Sequence, residues 1–347
     1  MKILIGVQGT GNGHISRCHA LAQALSFYPE VQTDFLVSGR APEKLFDMEA
    51  FGDYQWRQGL SFQVRDGRVS VLDTLSHNPW TQFWQDVRDL DLSRYDLVVT
   101  DFEPVTAWAA RRQGVRCIGL GRQYAFFKQT PALPTTLLQR AMLRQFAPCD
   151  VTVGMHWEDI GAHVLPPLIH QPAGALPTLS QEILVYLPFE PLPQVLALLQ
   201  NFPEYQFAVY HPDAQRQDNG HIQCFPPSRQ GFANAFARAE GVIANAGFET
   251  SSEALAYGKK LLVKPLTGQF EQLANAHCLA TRQLAAVMDS LNANYVEQWL
   301  ESNLRVRMEW PDAGPVLADW LANGAYEPVT ELHQRLWQHT QRVALSA

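Results

Sequence analysis

Short apolar runs of four to six residues recur along the chain. Between them lie longer stretches whose apolar positions return every third or fourth residue. The first pattern predicts strands buried on both faces, the second amphipathic helices. In the first half the runs predict strands at 2–7, 33–37, 96–100, 115–119 and 150–153, with helices at 14–27, 103–113 and 133–147. A second alternation predicts strands at 182–187, 205–210, 221–225, 241–244 and 260–264, and helices at 191–200, 229–239, 248–257 and 269–281. Strands alternating with helices predict parallel α/β sheets. Pro166, Pro167, Pro172, Gly174 and Pro177 interrupt the pattern between the halves, as a linker would. The expected organisation is a domain at 1–165, a linker at 166–180, a second domain at 181–325 and a C-terminal helix at 326–347 that packs back on the body. Val329, Leu332 and Leu336 in that tail stand at helical spacing.

Composition narrows the class. The 347 residues suffice for two domains of about 150 residues each. A net charge of −7 disfavours nucleic acid as a partner. The five cysteines have no CxxC spacing, which suits a reducing cytoplasm better than a disulfide framework or a zinc site. The N-terminal apolar run is too short for a secretion signal, and no stretch is long enough to span a membrane.

Two segments carry candidate chemistry. The N-terminal MKILIGVQGTGNGHISR is a strand feeding a loop with Gly9, Gly11 and Gly13. Such glycines permit close backbone approach and unusual φ values. His14 follows at the start of a helix. This is neither a GxGxxG fingerprint, because His14 stands where the last glycine is needed, nor a phosphate-binding GxxxxGK[ST] loop. The second segment is GVIANAGFETSSEALAYGKKLLVKPLTGQFEQLANA, residues 241–276. An apolar strand meets a turn at Asn245, Ala246 and Gly247, and a helix then begins with Thr250, Ser251, Ser252 and Glu253 in its first turns. A helix start offers unpaired N–H groups and a positive end to an anion. A carboxylate just inside it suits the hydroxyls of a ribose. The pair of sites suggests a nucleotide.

AGFETSSEALAYGKKLLVKPL followed by EQLANA resembles the donor-binding signature of GT-B glycosyltransferases, including the lipid-linked peptidoglycan N-acetylglucosaminyltransferases and the UDP-glucuronosyl and plant glucosyltransferases. GTGNGH resembles the glycine loop and histidine at their acceptor end. The resemblance is specific over 241–276 and moderate over 2–25. It implies a GT-B fold, two Rossmann-like doubly wound α/β domains facing a central cleft. It also implies inverting transfer of a hexose from a nucleotide sugar, a UDP-sugar above all, to a glycan, lipid-linked or small-molecule acceptor. No cofactor and no metal are expected.

The resemblance assigns roles to residues. His14 becomes the general base, with a neutral imidazole favoured by the helix start. Asp101 becomes its orienting partner, which also stabilises the protonated ring; read alone, Asp101 is a helix cap. Gly247 matches the turn glycine, and Thr250 and Ser252 match hydroxyls near the diphosphate. Glu253 matches the residue that holds the ribose. Glu271 and Gln272 match the pair on the donor sugar. Two departures stand out. Asn245 replaces a histidine of the plant enzymes, and LPFEP at 187–191 replaces a Gly/Ser-rich phosphate turn. Arg122 or Lys264 would then have to supply positive charge. Asp89 and Asp91 form a DxD string, the metal motif of a different glycosyltransferase fold, in a poor context between helix and strand. The segment 124–146, with many apolar residues beside Lys128, Arg140 and Arg144, reads as a core helix with a solvated rim. Peripheral membrane contact is its second reading. A nucleotide-sugar 2-epimerase and a non-catalytic nucleotide-sugar binder are the rival functions.

Overall fold

A computed structural model describes residues 1–45, 47–61, 64–65, 68–69, 78–127, 137–169 and 179–345. The chain forms two compact units. One comprises Met1–Gln63, Val71–His170 and Trp310–Thr340; the other comprises Val64–Ser70, Gln171–Glu309 and Gln341–Ala347.

The first unit is built on seven described strands: β1 (Lys2–Gln8), β2 (Gln32–Ser38), β3 (Gln55–Arg57), β4 (Leu97–Asp101), β5 (Cys117–Gly121), β6 (Val151–Met155) and β7 (Val164–Leu165). Their order is β3-β2-β1-β4-β5-β6-β7, and every neighbouring pair is parallel. Continuous apolar runs are required here because both sheet faces are covered. Helices α1 (Asn12–Leu25), α2 (Trp80–Asp89), α3 (Pro104–Gln113) and α4 (Leu137–Phe146) belong to this unit. Leu4, Leu36, Phe83, Val98 and Val105 meet in one buried cluster.

The second unit repeats the plan with β8 (Leu179–Tyr186), β9 (Gln206–Tyr210), β10 (Gln217–Asn219), β11 (Ile222–Phe225), β12 (Ala239–Asn245), β13 (Lys260–Lys264) and β14 (Ala286–Val287). The order is β10-β11-β9-β8-β12-β13-β14, and only the β10–β11 pair is antiparallel. Its helices are α5 (Leu192–Leu199), α6 (Arg229–Arg238), α7 (Phe248–Ala256), α8 (Phe270–Thr281) and α9 (Ala293–Glu301).

The C-terminal region departs from expectation. Residues 310–325, expected in the second domain, pack in the first unit as α10 (Ala313–Ala322), followed by α11 (Val329–Trp337). Gly314 lets α10 approach α1 closely, since a Cβ there would lie 3.4 Å from that of Ala24. The expected tail helix also ends early. Gln341–Ala344 is a strand, β16, antiparallel to β15 (Val306–Glu309). The linker expected at 166–180 falls largely at 170–178, outside the described residues.

Candidate active site

In each sheet the chain runs outward from a first strand, then returns to that strand's other side. The order therefore reverses between β1 and β4 in one unit and between β8 and β12 in the other. Ligands of doubly wound sheets bind beyond the strand C-termini at such switch points. Both sequence motifs lie there.

In the first unit β1 ends at Gln8, and α1 starts at Asn12. The Gly9 N–H donates to the Ser38 carbonyl at 2.7 Å, and a Cβ on Gly9 would come within 2.9 Å of that oxygen. Close approach, not unusual torsion, explains this loop. None of Gly9, Gly11 and Gly13 has a positive φ, contrary to the expectation from sequence. Arg40 fastens the loop, donating to the Asn12 side chain at 2.8 Å and the Thr10 carbonyl at 3.1 Å.

His14 lies in the first turn of α1 with 13% of its side chain exposed. Its Nδ1 is 2.9 Å from Oδ1 of Asp101, the last residue of β4. Asp101 is not the helix cap. Glu103 takes that place, accepting from the Val105 and Thr106 N–H groups. Between them Phe102 adopts φ 54°, a rare region for a bulky residue. Its ring stacks on Phe146 and meets Tyr124 edge-on. This buried ring holds a turn that sends Asp101 toward α1 and Glu103 to the start of α3.

Sequence reasoning missed Arg17. Its Nε donates to Asp101 Oδ2 at 2.9 Å and a terminal nitrogen donates to Oδ1 at 2.6 Å. Burial by itself would raise the Asp101 carboxyl, but the Arg17 guanidinium, with His14 beside it, holds it below the usual carboxylate range. Gly121 closes the other side with φ 147°, and a Cβ there would stand 2.9 Å from Asp101 Oδ1. The Gln123 amide nitrogen lies 3.4 Å from His14 Nε2. The tautomer with its proton on Nδ1 would donate to Asp101 and turn the Nε2 lone pair toward the Gln123 amide. The helical spacing of His14 and Arg17 was the available signal; the partner on β4 was not.

In the second unit α7 begins after Gly247, which has φ −70° and makes no side-chain cap. Among the described residues a Cβ on Gly247 would meet nothing within 4 Å, so no described atom crowds the helix start there. Thr250 is half-buried, and among the described residues its hydroxyl has no partner. Ser252 is buried, and its hydroxyl donates to the Phe248 carbonyl at 2.7 Å. Glu253 is largely withdrawn from water, and burial, opposed by Arg229, pushes its carboxyl up to about 7.

Asn245 is the last residue of β12. Its amide nitrogen donates to the Lys264 carbonyl at 3.0 Å and to Glu190 Oε1 at 3.4 Å. Its Oδ1 is buried and, among the described residues, has no partner. Lys264 donates to Glu190 Oε1 at 2.8 Å. Glu190 lies in the LPFEP loop, which His211 secures by a 2.9 Å contact of Nε2 with the Glu190 carbonyl. This ion pair ties the loop to the end of β13. Arg122 is buried in the first unit, donating to the Met155 carbonyl at 3.1 Å, with its guanidinium over the rings of Phe126 and Trp157.

Glu271 and Gln272 open α8. Gln272 Oε1 accepts from the Leu266 N–H at 3.0 Å, so it shapes the loop before the helix. Among the described residues its Nε2 has no partner, leaving one donor group for a ligand. Asp89 ends α2, and Asp91 accepts from the Ser93 N–H at 2.9 Å. Among the described residues no three His, Cys, Asp or Glu side chains are grouped to hold a metal ion. Nor is any described helix long and apolar enough to cross a membrane. In the segment 124–146, Tyr124 and Phe126 are core residues while Leu137 and Met142 on α4 are exposed. Lys128 lies outside the described residues.

Two parallel Rossmann-like units, each with its motif at a switch point, have the GT-B architecture. Similar folds occur in the glycosyltransferase SnogD from Streptomyces nogalater (TM-score 0.56, 16% identity, 96% of each chain covered) and in SsfS6 from Streptomyces sp. SF2575 complexed with thymidine diphosphate (TM-score 0.60, 12% identity, 96% of this chain and 98% of that one). The spinosyn rhamnosyltransferase SpnG complexed with thymidine diphosphate is a third (TM-score 0.58, 12% identity, 97% of each chain). The chain belongs to glycosyl transferase family 1, whose profile matches residues 1–303. No curated protein matches this sequence.

Proposed function

We propose that this glycosyltransferase moves a hexose from a UDP-sugar to an acceptor hydroxyl, with inversion and without a metal. The observation that carries the reading is the 2.9 Å contact of His14 Nδ1 with Asp101 at the first switch point, which leaves the Nε2 lone pair as a base. As the acceptor oxygen bonds to the anomeric carbon, its proton passes to Nε2. The bond from that carbon to the diphosphate breaks on the opposite face, and the nucleoside diphosphate leaves. The open start of α7, with Gly247 and the Thr250 hydroxyl, would hold the diphosphate and offset its charge as it develops. Glu253 would accept the ribose hydroxyls, and Glu271 with the free amide of Gln272 would contact the hexose. The thymidine diphosphate bound by the similar SsfS6 and SpnG supports a nucleotide diphosphate as the donor's core. The acceptor is a glycan, a lipid-linked sugar or a small molecule.

The test is a thermal-shift series with UDP, 2′-deoxy-UDP, dTDP and their glucose conjugates, because a bound ligand raises stability by mass action. UDP should stabilise the protein more than 2′-deoxy-UDP if Glu253 holds both ribose hydroxyls. Equal shifts would remove the uridine preference, and no shift with any of them would remove the donor assignment. Incubating the stabilising donor alone and finding its 2-epimer would replace transfer by epimerisation.

A further inference from the structure

Arg17 is the buried charge that this mechanism leaves unused. It stands one turn after His14 on α1 and grips both oxygens of Asp101, at 2.9 and 2.6 Å. The terminal nitrogen that meets Oδ1 is also 3.1 Å from His14 Nδ1. His14 Nδ1, Asp101 Oδ1 and this nitrogen therefore form a triangle. Among the described residues, Gln123 meets the trio at Nε2 and the Cys18 thiol donates to Asp101 Oδ2 at 3.4 Å. Both are uncharged as donors. With a neutral imidazole the trio has no net charge. In a simple His–Asp pair the carboxylate is free to balance an imidazolium. Here it already balances a guanidinium, and protonating His14 would place a second cation beside the first.

We propose that Arg17 is a positioning residue that fixes Asp101 and neutralises it, so that Asp101 orients the His14 ring without acting as the counter-ion of an imidazolium. The proposal rests on the reading of His14 as the base, and it revises the role expected for Asp101.

The test needs no acceptor. Protein labelled with ¹⁵N-histidine is followed by long-range ¹H–¹⁵N NMR from about pH 5 to about pH 9, with His14 identified by the signals missing in His14→Gln. In the wild type the ring should carry its neutral-form proton on Nδ1. In Arg17→Gln the His14 signals should titrate at a pH higher by about one unit or more, because Asp101 is then unopposed. In Arg17→Gln/Asp101→Asn they should return to within about half a unit of the wild type. Wild-type titration in a folded Arg17→Gln protein would overturn the proposal. If that variant does not fold, the double variant decides alone: titration well away from the wild type, in either direction, means the two charges do not cancel. Turnover by His14→Ala reports separately on the base, so either idea can fail without the other.

Discussion

Replacing Glu253 by Gln should stabilise the protein while weakening its grip on nucleotide. The carboxyl is enclosed near the start of α7 with Arg229 as the opposing charge, and its titration moves from an ordinary 4.5 to about 7. A folded-state value above the unfolded one means the folded state holds the proton longer. The group costs nothing below about pH 4.5, and stability is lost as pH rises toward 7. At about 1.4 kcal/mol per pH unit, the ionised form costs up to about 3 kcal/mol by pH 8, an upper figure because the residue keeps some exposed surface. Gln keeps the shape and never ionises. Urea unfolding of both proteins should therefore show an advantage for Glu253→Gln that grows by about 2–3 kcal/mol between pH 5 and pH 8. Asp101 titrates in both proteins and cancels from the comparison. Calorimetry with UDP should show the opposite sign, since a charged acceptor is worth about 1.5–3 kcal/mol per hydrogen bond. A stability difference that stays constant from pH 5 to pH 8 would refute the enclosed carboxyl. Unchanged UDP affinity would remove Glu253 from the ribose.

Further outcomes are expected. His14→Ala should lower kcat by about 10²–10⁴-fold with donor affinity nearly unchanged, and near-normal turnover would place the base elsewhere. Gly121→Ala should disturb the same trio from behind, since its Cβ would press on Asp101 at a φ of 147°. Urea unfolding should show a loss of about 1–3 kcal/mol, and an unaffected midpoint would deny the close contact. Gln272→Glu keeps the acceptor for Leu266 and removes the free amide donor, so UDP-glucose should lose more affinity than UDP in calorimetry; equal losses would move this residue away from the sugar. Turnover should survive EDTA. Loss of activity that manganese or magnesium restores would count against transfer without a metal.

The sequence by itself determined the two α/β repeats. Strand and helix periods are local properties, and the apolar runs of β1, β4, β12 and β13 were legible without any partner. It also placed both motifs correctly on strand–turn–helix segments, because turns and helix starts are written in a few adjacent residues. The tertiary structure decided which polar atoms remain free. Ser252 bonds to its own helix and Asn245 to the sheet end, partners the sequence does not display. The last residues of the tail pair as a strand with Val306–Glu309, a choice made by the partner and not by local spacing. Asp101 meets Arg17, distant in sequence but brought to the same switch point by the parallel pairing of β1 with β4. Local pattern fixes the elements, but a buried charge takes its meaning from whatever the fold sets beside it, because burial makes every such partner count.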